Sequence, residues 1–282
     1  MVCHDAGAAN IILEEIRAAP QVKWLPVMQG PAARLWAESG LDTLELLTTQ
    51  AALQSANSVL TGTGWASNLE HEARLGATLL GLKSVAVIDH WVNYAARFER
   101  NGVVALPDEM WVTDTHAFDI ASGCFVGHNI KLLPNRYLDA QVRSIAALSA
   151  SLAGQILYVL EPLRFSWPGC TQLGEFEALD YFVSNLSKFA SEQWLQIRLR
   201  PHPSDAADKY KSWMAKNIEH GISIDTSLSL GEAIGRVQWV AGCETAAMVV
   251  ALAAGRKVLS TLPPNAPRCR LPHAGILHLR DF

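Results

Sequence analysis

Two polar segments of this 282-residue chain combine residue types that can bind and protonate an anionic ligand. The first is Arg198-Leu199-Arg200-Pro201-His202-Pro203, an apolar run that carries two arginines and ends in a histidine between two prolines. Proline fixes φ and restricts the residue before it, so the chain must leave the strand here. A histidine held in that turn is placed to donate to a phosphate oxygen or to act as an acid near neutral pH. The same spacing also suits a surface histidine after an edge strand. The second segment runs from Val240 through Gly242-Cys243-Glu244-Thr245 to Met248. A strand that ends at Gly242 would pass at once into a small-residue helix, whose free N–H groups and positive end stabilise an anion. Thr245 adds a hydroxyl donor, and Glu244 an acceptor for a sugar or ribose hydroxyl. Alternatively, these two residues cap the first turn of a core helix.

Further polar residues fall after other strand-like runs. Cys3-His4-Asp5-Ala6-Gly7-Ala8-Ala9-Asn10 follows the first and opens a helix at about Ile11; its small residues admit a ligand to the backbone, with Asp5 at the strand tip. Capping of the following helix is the other reading of Asp5. Thr61-Gly62-Thr63-Gly64-Trp65-Ala66-Ser67 precedes a helix carrying Glu70 and Glu72 and suits hydrogen bonding to a phosphate or a hydroxyl-bearing ligand. It lacks the lysine of a P-loop, and no Gly-x-Gly-x-x-Gly occurs. Asp89-His90-Trp91, with Asn93, Tyr94, Arg97 and Phe98, reads as a sugar platform, an acid–base pair or a buried structural cluster. Glu161 closes another strand and could meet a base or ribose, with Arg164 nearby for phosphate; Arg164 to Gly169 reads equally as a mobile loop.

These segments need a scaffold that presents strand ends. Short β-branched runs alternate with helical patterns along the whole chain, the signature of βαβ units and an α/β fold with parallel sheets. Strands are expected at Met1–Cys3, Val22–Met28, Ser58–Thr61, Ser84–Ile88, Met110–Thr113 and Ile130–Leu133, with a helix over Asn68–Leu80. A long helix is expected over Arg136–Ala153, ended by Gly154, which divides the chain into domains 1–150 and 151–282. In the second, strands Ile156–Leu160, Leu195–Leu199, Ile222–Ile224, Trp239–Ala241 and Lys257–Leu259 alternate with helices Thr171–Gln193, Asp205–Lys216, Leu230–Val237 and Glu244–Ala254. The expectation is two Rossmann-like domains facing a cleft. Trp24, Trp111, Trp194 and Trp239 lie in or beside apolar strands and read as core. Pro263, Pro264 and Pro267 mark an extended loop.

Composition narrows the function. Lys+Arg 23 against Asp+Glu 27 gives a net charge of −4, without the clustered basic residues of a nucleic-acid or anionic-membrane binder. The five cysteines are scattered without C-x-x-C or Cys/His ligand spacing, which argues against a disulfide framework or zinc site and for a reducing, cytoplasmic compartment. No Asp-x-Asp pair offers a metal site. The longest apolar run, around Ala246 to Ala254, is far short of the ~20 residues a bilayer requires. The first strand begins almost at Met1, which leaves room for an upstream segment.

The His202-Pro203 dipeptide after a strand, then the Gly242-to-Thr245 helix start and Ala251-Leu252-Ala253-Ala254-Gly255-Arg256-Lys257-Val258, resemble the C-terminal half of GT-B glycosyltransferases. Bacterial sialyltransferases, Kdo transferases and CDP-glycerol glycerophosphotransferases share the layout, and the non-hydrolysing UDP-GlcNAc 2-epimerases are similar. Leu133 to Asp139 looks like the turn before the interdomain helix of such enzymes. The chain departs from them in Cys243-Glu244-Thr245, where many members carry a serine pair, and it lacks the epimerases' Gly-Gly followed by paired glutamates. The resemblance implies a metal-independent transfer of a sugar from a nucleotide donor to a carbohydrate acceptor in surface polysaccharide synthesis, with no cofactor beyond the donor substrate. The first domain would take the acceptor through Gly7, Asn10, Thr63, Gly64, Asp89 and Trp91, and the second the donor through Arg200, His202, Gly242, Glu244, Thr245 and Glu161. Asp5, which resembles the acidic residue of some sialyltransferases, or His90 would deprotonate the acceptor, while His202, Thr245 and Arg200 stabilise the departing phosphate. The alternatives are a UDP-sugar epimerase or hydrolase of the same fold, and a non-catalytic nucleotide- or carbohydrate-binding protein.

Overall fold

Parallel strands cannot be joined by tight turns, so each short apolar strand here hands over to a crossover that packs back on the sheet. The computed structural model describes residues 1–41, 45–64, 67–163, 167–189, 195–203 and 205–282. They form two compact units, Met1–Tyr137 and Leu138–Phe282.

In the first unit the elements run β1 (Val2–Cys3), α1 (Ala6–Ala18), β2 (Val27–Met28), α2 (Gly30–Glu38), α3 (Thr49–Ser55), β3 (Ser58–Thr61), α4 (Leu69–Leu79) and β4 (Lys83–Val87). A small antiparallel hairpin, β5 (Glu99–Arg100) and β6 (Val103–Val104), precedes β7 (Glu109–Val112), α5 (Thr115–Cys124) and β8 (Asn129–Leu132). The parallel sheet has the order β2-β1-β3-β4-β7-β8. Alternation along its strands sorts the core: Cys3, Met28, Leu60, Val85 and Val87 pack on one face with Ile12, Ile16 and Trp36, while Val2, Val27 and Val59 pack on the other with Leu69, Ala73 and Ala77.

The second unit follows α6 (Arg136–Ser144) with β9 (Gln155–Val159), α7 (Gly174–Val183), β10 (Gln196–Arg200), α8 (Lys211–Lys216), β11 (Ser223–Ile224), α9 (Leu230–Gly235), β12 (Trp239–Gly242), α10 (Ala246–Ala253), β13 (Lys257–Ser260) and β14 (Ile276–His278). Its parallel order is β11-β10-β9-β12-β13-β14, with Ile156, Tyr158, Leu199 and Ala241 packed against Leu179, Phe182 and Trp213. Numbered within the unit this is 3-2-1-4-5-6, the dinucleotide-binding order, and β1 to β8 without the hairpin read 2-1-3-4-5-6. The fold is α/β with two Rossmann-like halves. No described helix is long and apolar enough to cross a membrane.

Several boundaries differ from the sequence expectation. The strand expected from Val22 is confined to Val27–Met28, because Val22 N–H still turns back to Ala19 O and Pro26 has no N–H for the ladder. The helix expected over Arg136–Ala153 stops at Ser144 and returns only as a 3₁₀ turn, Ala150–Leu152. Between them Ala146 gives its carbonyl to Arg256, and the chain lies so close to α9 that a Cβ on Gly235 would be 3.5 Å from Ala146 N. The helix expected over Thr171–Gln193 is α7 followed by a 3₁₀ turn at Leu186–Lys188, with the Asn185 amide turned back onto Tyr181 O. Gln193 and Trp194 lie outside the described residues. The helix expected from Asp205 begins only at Lys211, α2, α3 and α5 fall in the stretches between expected strands, and the hairpin and β14 are additional elements.

Candidate functional site

In an open α/β sheet, ligands bind beyond the strand carboxyl ends where the order reverses. In the first unit that switch point lies between β1 and β3, and the residues leaving those strands are His4, Asp5 and Gly62-Thr63-Gly64. Asp5 occupies the N-cap position of α1, which begins at Ala6 rather than near Ile11, yet its side chain makes no capping bond. Its Oδ1 lies 2.7 Å from His4 Nδ1 instead. Glu70, fully buried in the first turn of α4, accepts the His4 N–H at 3.0 Å through Oε1, and its Oε2 has no hydrogen-bond partner among the described residues. Burial pushes the Glu70 carboxyl up, against the pull of that His4 bond.

Glycines make this crowding possible. A Cβ on Gly64 would fall 2.0 Å from Asp5 Oδ2, and one on Gly7 would fall 1.8 Å from Asp89 Oδ2. The Gly62-Thr63-Gly64 loop is held from below by arginines. Arg74 Nη1 donates to Gly62 O at 3.0 Å, Arg97 Nη1 to Thr63 Oγ1 at 3.2 Å, and Arg100 Nη2 to Gly64 O at 2.6 Å. Arg74 and Arg97 are buried, and burial lowers the Arg74 guanidinium only to about 10, so it stays charged at neutral pH.

Thr63 is fully buried and spends its hydroxyl on Val87 O, so it shapes the loop instead of presenting a donor. Asp89 Oδ1 takes Arg97 Nη1 at 2.7 Å. The Trp91 indole N–H goes to Asp114, which also caps α5, and the His90 ring sits beside Trp91 with centroids 5.4 Å apart. With Tyr94 and Phe98 in the core, this segment is largely the buried structural cluster. Asn10 lies half-buried on α1. Trp65, Ala66 and Arg164 lie outside the described residues.

The second unit reverses between β9 and β12, bringing Glu161 to Gly242-Cys243-Glu244-Thr245. Glu161 Oε1 accepts the Glu244 N–H at 2.6 Å. Burial pushes its carboxyl up to about 7, with the Glu244 carboxylate adding to the rise against the amide bond that opposes it. Glu244 in turn takes Arg270, which donates both Nε, at 3.2 Å, and its backbone N–H, at 3.1 Å. Thr245 caps α10 by accepting from Ala247 N–H at 3.4 Å. Gly242 leaves little room, since a Cβ there would be 2.9 Å from Val159 O.

Arg200 does not stand free to meet phosphate: it donates to Asp225 Oδ2 at 2.5 Å and to Ser227 O at 3.2 Å. The His202 loop is tied through its backbone, the N–H donating to Asp205 Oδ2, which also accepts the Tyr210 hydroxyl at 2.9 Å. Sequence reasoning overlooked His4, Arg74, Arg100, Asp225 and Arg270. Only His4 left a signal, a His–Asp dipeptide at a strand tip. Among the described residues no group of three or more His, Cys, Asp or Glu side chains converges to hold a metal ion.

No protein-family model and no curated protein matches the chain. Solved structures do. The UDP-GlcNAc 2-epimerase of Methanocaldococcus jannaschii superposes with a TM-score of 0.62 at 11% identity, covering 92% of this chain and 82% of that one. The S. aureus MnaA co-structure with UDP gives 0.59 at 12% identity, covering 92% and 78%. A Listeria monocytogenes structure described as a UDP-N-acetylglucosamine 2-epimerase gives 0.57 at 13%, again covering 92% and 78%. At these identities the likeness is one of fold. It lies with epimerases, the alternative to the transferase reading, and none of these three structures is described as a transferase.

Proposed function

We propose that this chain is an enzyme acting on a nucleotide-activated sugar, and that it rearranges the sugar of a UDP-linked substrate, as an epimerase does, or cleaves it with water, as a hydrolase does, without a carbohydrate acceptor. The observation that carries this reading is the acid–base set at the first switch point, where His4, Asp5 and Glu70 gather around a glycine loop. Chemistry on a sugar requires groups that take and return protons, and histidine and carboxyl side chains do so near neutral pH. The Rossmann order of the second unit, with Glu161, Glu244 and the α10 start at its switch point, supports assigning the nucleotide there. In that role Glu161 or Glu244 accepts from ribose hydroxyls, while the α10 N–H groups, Thr245 and His202 meet the diphosphate.

A second reading, transfer to a carbohydrate acceptor in surface polysaccharide synthesis, is favoured by one feature. The chain lacks the Gly-Gly followed by paired glutamates of the non-hydrolysing UDP-GlcNAc 2-epimerases. The purified chain incubated with UDP-GlcNAc alone and followed by NMR separates the two. The expected result is a new sugar signal or UDP release with no acceptor present. Conversion only after a carbohydrate acceptor is added would move the assignment to transfer, and a UDP-induced rise in Tm without conversion to a binding protein.

A further inference from the structure

His4 follows β1 directly, and three of its polar groups are engaged. Its N–H donates to Glu70 Oε1 at 3.0 Å, its carbonyl accepts from Ala32 N–H at 2.9 Å, and its ring Nδ1 lies 2.7 Å from Asp5 Oδ1. An ionised carboxylate only accepts, so Nδ1 carries the ring proton and the lone pair is left on Nε2. No hydrogen bond occupies Nε2 among the described residues, and 19% of the side chain is exposed. Beneath it Gly30 has φ +51°, and a Cβ there would come 2.5 Å from Nε2, so glycine is what leaves this nitrogen its room. Asp5 is less free: Oδ1 is taken by His4 and Oδ2 packs over Gly64.

We infer that His4 Nε2 is the proton-transferring atom of this site and that Asp5 is its positioning residue, holding the ring by Nδ1. The inference rests on the proposal that the first unit supplies the acid–base chemistry. A base oriented by a third group is the arrangement that activates histidine in unrelated enzymes. In the step, a substrate X–H bond breaks, the proton forms the Nε2–H bond, and the electron pair stays on X. Asp5 offsets the charge of the imidazolium, which later returns the proton to product or water.

Two measurements on the full chain test this. The first is labelling by diethyl pyrocarbonate, read residue by residue by mass spectrometry, in the wild type and in Asp5→Asn. The rate at His4 should fall several-fold in the variant while His116 and His128, which are exposed, are unaffected. Equal His4 rates in the two proteins would overturn the dyad. The second is turnover of UDP-GlcNAc alone by wild type and His4→Gln. The variant should keep its UDP-induced rise in Tm and lose turnover by about 10²–10⁴-fold. A wild type that turns over while His4→Gln stays within a few-fold would overturn the assignment and leave the functional reading standing. Where the wild type converts nothing yet His4 labelling depends on Asp5, the functional reading fails and the dyad stands. Should His4→Gln fail to fold, the labelling comparison decides alone.

Discussion

The two sheets solve one problem with different materials. Each exposes the carboxyl ends of two central strands at a reversal of strand order, and each brings a glycine-containing turn to a carboxylate there. In the first unit the turn is held by cations, Arg74, Arg97 and Arg100, that reach its carbonyl and hydroxyl oxygens from within the protein. In the second it is held by a carboxyl, Glu161, which accepts the Glu244 amide N–H. An arginine stays charged across the working pH range, whereas a buried carboxyl titrates within it. The order of strands fixes where a ligand can sit, and the residue types at the tips fix how firmly and at what pH the site is built.

The most damaging way to test the first half of this contrast is Arg74→Ala. The side chain is 1% exposed and donates to Ala105 O, Thr61 Oγ1 and Gly62 O. Truncation leaves a cavity and unpaired acceptors, with an expected loss of about 3–5 kcal/mol in urea unfolding. The loss should be nearly independent of pH up to about pH 8, because the guanidinium does not titrate there. A loss below about 1 kcal/mol would mean that the turn is not held from below.

Glu161→Gln tests the second half. With its carboxyl raised to about 7 from 4.5, the folded chain holds a proton that the unfolded chain releases between those values. Stability therefore falls as pH rises through that window, by roughly 3 kcal/mol at most, and the full cost is present above about pH 7. Glutamine removes the titration while keeping an acceptor for the Glu244 amide. Wild type should thus lose stability relative to the variant between about pH 5 and about pH 8 in urea unfolding. A difference that is flat across this range would show that Glu161 titrates as an ordinary carboxyl and would erase the contrast with the first unit.

How much of this was legible in the sequence follows from how local each cause is. Parallel strands were visible because they are short buried apolar runs, and Ser58–Thr61 was placed to the residue. Gly242 and Thr245 were legible for the same reason, a strand end abutting a small-residue helix. Helix ends were not, because Arg136–Ser144 is cut short by contacts with α9 and with Arg256, over a hundred residues away in sequence. Asp5 was legible as a strand-tip carboxylate, but its choice of His4 over the helix N-terminus depends on Glu70 and Gly30, which only the fold brings near. Arg200 shows the opposite case: its place after a strand suited phosphate, and the return of β11 supplies Asp225 instead.

Glycine substitutions draw the finest line between the two turns. A Cβ on Gly242 would meet the backbone oxygen of Val159 at 2.9 Å and its Cγ2 at 3.0 Å, so relief requires the two central strands of the sheet to shift. Gly242→Ala should therefore cost about 1–3 kcal/mol of stability. On Gly64 the obstacle is Asp5, whose Oδ2, Cγ and Cβ would lie 2.0, 2.3 and 2.9 Å away. Rotation about χ1 carries Oδ2 and Cγ away and lets go of His4 Nδ1, but the Asp5 Cβ moves only with the backbone between β1 and α1, which must also give. Gly64→Ala should accordingly cost about 1–3 kcal/mol in urea unfolding, as Gly242→Ala does, and in addition slow the Asp5-dependent labelling of His4 as far as Asp5→Asn does. If Gly64→Ala leaves the His4 labelling rate at the wild-type value, the first turn yields without releasing the ring, and the difference between a cation-held and a carboxyl-held switch point lies in pH response alone.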